Sequence, residues 1–152
     1  MSLNEIMLSN PQTVGPEDTV PTAFRLMKQF GMRNLPVVDG DGCFLGVFST
    51  VHLIELLLPV AATVEGGLTD LSFVHDSLDD IRERYQNVEN HKVGDFIESE
   101  HVPVVHTETS LVEAMLLLYK HRTHVTVVEE STNKVVGVIT VNGILEALMG
   151  AD

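Results

Sequence analysis

Residues 34–49 read Asn34-Leu35-Pro36-Val37-Val38-Asp39-Gly40-Asp41-Gly42-Cys43-Phe44-Leu45-Gly46-Val47-Phe48-Ser49. Two apolar runs flank a turn of alternating Asp and Gly, residues that tolerate the positive φ a hairpin demands. The stretch is a strand, a tight turn and a returning strand. Pro36 has no N–H to give, so its strand can take it only near the beginning or on an edge. What decides the fold is that the chain writes this stretch twice. About 91 residues on, His124-Val125-Thr126-Val127-Val128 leads through a turn at 130–133 to Val135-Val136-Gly137-Val138-Ile139-Thr140.

The match continues outward from the hairpins. Val14 falls on Val105, Glu17 on Glu108, Ala23 on Ala114, Gly46 on Gly137, Glu55 on Glu146 and Leu57 on Leu148. Similarity at a fixed offset means two copies of one structural unit. Ahead of the first hairpin, Val20, Ala23, Phe24, Met27 and Phe30 recur at helical spacing and form a core-facing stripe. Asp18 or Thr19 caps this helix, Pro21 is tolerated in its first turn, and Gly31 stops it. Residues 12–15 form a short extended segment before it, and 50–58 a helix after the hairpin, closed by Pro59. The second copy repeats the order: 102–105 extended, a helix lined by Leu111, Ala114, Met115 and Leu118, the hairpin, and a helix over 141–149. Each copy thus reads β-α-β-β-α.

A unit of roughly 60 residues is marginal alone, whereas two packed together bury both sheets. The expected fold is α+β, an intramolecular pseudo-twofold pair with repeats at 1–58 and 92–152. Between them lies an acidic helical spacer at 59–91. There Asp76 and Ser77 stand ready to cap a helix through about Tyr85, with Leu78, Ile81 and Tyr85 as its apolar stripe. Such a spacer packs on the sheet edge or on a partner subunit.

The 152 residues carry nine Lys and Arg against 22 Asp and Glu, a formal charge of −13. Without clustered cations, general nucleic-acid binding and attraction to an anionic membrane surface are disfavoured. No apolar run approaches the ~20 residues needed to span a bilayer, and the first ten residues lack a signal-peptide pattern. A single cysteine, Cys43, rules out an intramolecular disulfide. A cytoplasmic location is the expectation. Seven histidines raise the question of a metal, but their spacing fits no structural zinc pattern. Ser49 lacks a nucleophile elbow, and Asp39-Gly40-Asp41-Gly42 has the wrong flanks for a phosphate loop. Neither catalysis nor a metal is expected.

Two β-α-β-β-α copies carrying Asn34-Leu35-Pro36-Val37-Val38-Asp39 and Leu45-Gly46-Val47-Phe48-Ser49 resemble a tandem pair of CBS domains, named after cystathionine β-synthase and called a Bateman module. The second copy departs at Thr126, where the family usually has proline. The resemblance implies a regulatory module, not an enzyme. Adenosine-containing ligands (AMP, ADP, ATP or S-adenosylmethionine) would sit in clefts between the repeats, and two copies would form a homodimer. It implies no required cofactor; Mg²⁺ could accompany a nucleotide. It also implies a regulated partner protein or fused domain.

Carried over position by position, the resemblance assigns Arg33, Asn34, Leu35 and Pro36 to the ligand in the first copy, and Arg122, Thr123, His124 and Val125 in the second. Gln12, Thr13 and Val104 come from the first strands. Val47 and Ser49, with Val138 and Thr140, follow the third strands. An Arg guanidinium offers phosphate two parallel donors. The family's ribose-binding aspartate is missing: His52 and Gly143 hold its two positions. A carboxylate accepts both ribose hydroxyls, a neutral imidazole offers one acceptor, and glycine offers none. A second reading follows, that of a dimerisation or interaction module with vestigial clefts. The closing helices, apolar on more than one face through Val51, Ile54, Leu145 and Leu148, fit a dimer under either reading.

Overall fold

The computed structural model describes residues 3–58 and 77–150. Residues 59–76, Pro59 and Asp76 among them, lie outside the described residues. In chain order the strands are β1 (Leu8–Ser9), β2 (Asn34–Val38), β3 (Phe44–Ser49), β4 (Val104–His106), β5 (Val125–Val128) and β6 (Val135–Ile139). The α-helices are α1 (Val20–Phe30), α2 (Thr50–Leu57), α3 (Leu78–Val88), α4 (Leu111–His121) and α5 (Val141–Met149). Helices and small sheets in this order form an α+β pair of repeats.

Local signals explain the helix ends. The Thr19 hydroxyl accepts from the Thr22 N–H, and Gly31 closes α1 in the left-handed region at φ 65°, which glycine takes without a Cβ clash. In α3, the Ser77 hydroxyl and the Asp80 carboxylate satisfy each other's backbone N–H groups, a complete capping box. Its stripe docks on the first repeat: Tyr85 stacks 6.3 Å from Phe24, and Arg84 Nη1 donates to the Leu57 carbonyl at 3.2 Å. Leu78, expected in that stripe, is exposed because it opens the helix.

The hairpins pair antiparallel, β2 with β3 and β5 with β6. The extended segment expected at 12–15 shrinks to one bridge, Val14 with Val37. Pro11 and Pro16 on either side have no N–H, and the Gly15 N–H goes to the Asp18 carboxylate at 2.8 Å, leaving no ladder to continue. Its counterpart β4 does form a parallel ladder with β5.

The repeats exchange their leading segments. β1 pairs with β6 of the second repeat, and Leu3 and Ile6 are buried there among Val105, Leu118, Val125 and Ile139. Ninety residues later, Val93 is buried in the first core with Val20, Met27, Leu35 and Phe48. Glu98 then exchanges two backbone bonds with Val47, at 2.8 and 2.9 Å. The repeated glycines make room for this. A Cβ on Gly46 would overlap Ile97 and the Glu98 carbonyl; one on Gly137 would overlap Met7 and crowd the Leu8 carbonyl. A strand glycine here marks close backbone approach.

Strand alternation sets the faces. Leu35, Val37, Phe48, Val125, Val127 and Ile139 point into the two cores. Pro36, Val47, Thr126 and Val138 therefore point the other way, yet all are buried, Thr126 to 1% exposure. Across the pseudo-axis Cys43 bridges its own counterpart, Lys134: the Phe44 N–H donates to Asn133 and the Val135 N–H to Gly42. Phe30 and Met115, expected in the core stripes, are instead 47% and 42% exposed. Met115 sits beyond the arc that Ala114 and Leu118 present to the sheet, whereas Phe30 is the last residue of α1, at the helix end.

Candidate functional site

One wide cleft of about 1560 Å³ opens between the repeats. Its walls come from Glu5 to Leu8 and Asn10 to Gln12, the end of α1 and Arg33, the end of α4 through His124, and β6 with the start of α5. Of the residues assigned from sequence, Gln12, Arg33, Arg122, Thr123, His124, Val138 and Thr140 line it. Thr13, Asn34, Leu35, Pro36 and Val125 do not, nor do Val47, Ser49, His52 and Val104. Leu35 and Val125 are core residues, fully covered. Asn34 is held between the repeats, where its amide donates to the Thr123 hydroxyl.

Several local features aim these groups. The helix-stopping position that is Gly31 in the first repeat is Arg122 in the second, also left-handed at φ 56°. That conformation costs a non-glycine residue roughly 1 kcal/mol, and it places a cation at the rim, also where the α4 carbonyls end. Arg33 reaches the same cleft from the first repeat. Thr140 caps α5 by accepting from the Gly143 N–H at 3.0 Å, which leaves its own hydroxyl proton to give. His124 is mostly buried; burial holds its imidazole below the ordinary histidine range, with the Asn34 backbone pulling the other way. Its Nε2 has no partner. The ring is thus neutral at pH 7, with one unused polar atom at the cleft wall.

The missing ribose carboxylate has a structural cause. At Gly143 a Cβ would lie 2.5 Å from the Ile6 carbonyl. The equivalent His52 ring sits 5.7 Å from Phe48 and 6.2 Å from Phe96, with Nδ1 buried and unpartnered. Ile6 and Phe96 belong to the two exchanged segments, so the exchange itself constrains both positions. Glu146, Asn142 and the segment 5–8 are cleft residues that sequence reasoning missed. Leu3 with Ile6, and Val93 with Phe96, are apolar pairs three residues apart, but nothing in such a pair says which repeat it joins.

Among the described residues, no group of three His, Cys, Asp or Glu is placed to hold a metal. No described helix is long and apolar enough to cross a membrane.

A pair of β-α-β-β-α repeats joined across a pseudo-axis, with a mixed-charge cleft between them, defines a class of binding module. The CBS domain family matches residues 3–59 and again 93–150, so the chain belongs to that family as a tandem pair, a regulatory module of a generally non-catalytic kind. Its fold resembles CBS-pair protein CBSX2 from Arabidopsis thaliana, at TM-score 0.73 and 20% identity over 97% of this chain and 94% of that one. A structure of CBSX2 in complex with AMP gives TM-score 0.69 at 20% identity, covering 97% and 96%. In sequence, the chain is 35% identical over 72 residues to H(+)/Cl(-) exchange transporter 7 of Mus musculus. That stretch is 47% of this chain and 8% of the transporter.

Proposed function

We propose that this CBS pair is a ligand sensor that takes an adenine nucleotide or related adenosyl compound in the cleft between the repeats. The observation that carries the reading is the convergence of Arg33, Arg122 and Thr140 on one cleft. The two cations come from different repeats, so an anionic group between them would tie the repeats together. A ligand that favours one inter-repeat angle shifts the population toward it and signals to a partner protein or fused domain. The AMP complex of CBSX2 and the CBS-like stretch within a transporter support the ligand class and the idea of a regulated partner. Mg²⁺ would accompany a di- or triphosphate. The reading places the module in the cytoplasm, where such nucleotides are abundant.

Isothermal titration with AMP, ADP, ATP and S-adenosylmethionine tests this. Saturable heat with at least one ligand, weakened tenfold or more by Arg33→Ala, is the expected result; no heat and no thermal shift at millimolar ligand sinks it. That null result is what the second reading expects, an interaction module with an idle cleft, which Gly143 and His52 favour. Under either reading the chain forms a homodimer through the exposed apolar faces of the closing helices α2 and α5, to be read by light scattering.

A further inference from the structure

We infer that Glu146 is the carboxylate that receives the ligand's sugar hydroxyls in this protein; the inference rests on the adenosyl-ligand reading above. The family position for that role is Gly143, and the Ile6 carbonyl occupies the space a side chain there would need. Glu146 lies three residues on in α5, one turn along the same helix face, about 4.5 Å further by helix rise. It lines the same cleft as Thr140 and Gly143, at the α5 wall, while Arg33 and Arg122 come from other elements. Its side chain is exposed and forms no ion pair or hydrogen bond with a described residue, so it can turn toward a ligand without breaking anything. The extra methylene of Glu over Asp helps to span the offset. Two carboxylate oxygens can accept both vicinal hydroxyls of a ribose, which a hydroxyl or amide cannot match. Thr140, its proton uncommitted, stands one turn away on the other side of Gly143.

Glu55 is the equivalent residue of the first repeat and is exposed too, but it does not line this cleft. It serves as the internal control.

The test is titration of wild type, Glu146→Gln and Glu55→Gln with two probes, AMP and 2′,3′-dideoxy-AMP. Wild type should prefer AMP by about tenfold or more, the scale of a charge-assisted pair of hydrogen bonds. Glu146→Gln should lose most of that preference while binding the dideoxy probe as wild type does, and Glu55→Gln should change neither. If wild type binds both probes equally, or if Glu146→Gln weakens both by the same factor, the assignment is overturned while the adenosyl reading stands. If wild type binds neither probe nor any other adenosyl ligand, both fall together.

Discussion

The two repeats share one topology and divide its uses. In the first, α3 docks beside α1 and α2 through Tyr85 and Arg84, and the helix stop is an unstrained Gly31. His52, at the ribose position, is drawn into an aromatic cluster with Phe48 and Phe96. In the second, the helix stop is a strained Arg122, and Thr140, Gly143 and Glu146 line the open cleft. The faces of its helices stay bare at Val112, Tyr119, Leu148 and Met149, each more than 70% exposed. Duplication supplied two equal scaffolds. Substitutions at a few equivalent positions gave the two copies different surroundings at the helix stop and at the position three residues after Ser49 and Thr140.

Where the repeats are alike, in their exchanged segments, the largest effects are expected. Gly46→Ala drives a methyl against the Glu98 backbone, which cannot swing away, and should cost about 3 kcal/mol. Gly137→Ala meets mainly the flexible Met7 side chain and should cost about 1–2 kcal/mol. Denaturant midpoints for the two variants measure this, and the reverse order would mean that the Glu98 backbone yields more readily than the Met7 side chain.

Where the repeats differ, smaller effects should sort function from stability. Arg122→Gly makes the second helix stop like the first. It should raise stability by up to about 1 kcal/mol by relieving the left-handed arginine, yet weaken AMP binding several-fold. Thermal melts and titration on the same protein would show the two moving in opposite directions. A loss of both would mean that Arg122 is structural.

The smallest effect concerns His124, whose counterpart in the first repeat is Asn34. Burial lowers its proton affinity, so the unfolded chain takes up a proton near pH 6.5 while the folded chain stays neutral to lower pH. Its stabilising contribution is therefore present above that range and fades as pH falls through it. Melting temperature should drop between pH 7 and 5.5 more steeply in wild type than in His124→Gln. Parallel slopes would remove the histidine from the account.

Much of the fold was legible because the signals are local and doubled. The hairpin turn at Asp39 to Gly42, the stop at Gly31, and the caps at Thr19 and Ser77 each follow from one or two residues. The segment exchange was not legible, since Leu3 and Ile6 carry the same apolar signal whichever core receives them. The site was legible only in part for the same reason. Family positions brought Arg33, Arg122, His124 and Thr140 to one cleft, but Ile6 and Glu146 enter it through the exchange and through a helix turn that no motif marks. Phe30 and Met115 misled because an apolar residue at helical spacing can also belong to a surface that faces outward.

The crossing of Leu3–Ser9 into the second sheet, and of 93–98 into the first, separates the unit of duplication from the unit of folding. A fragment cut at the repeat boundary would keep its own helices and hairpin but carry its neighbour's edge in place of its own. Each half then needs the other in trans, and two chains at high concentration can satisfy the same contacts by trading halves.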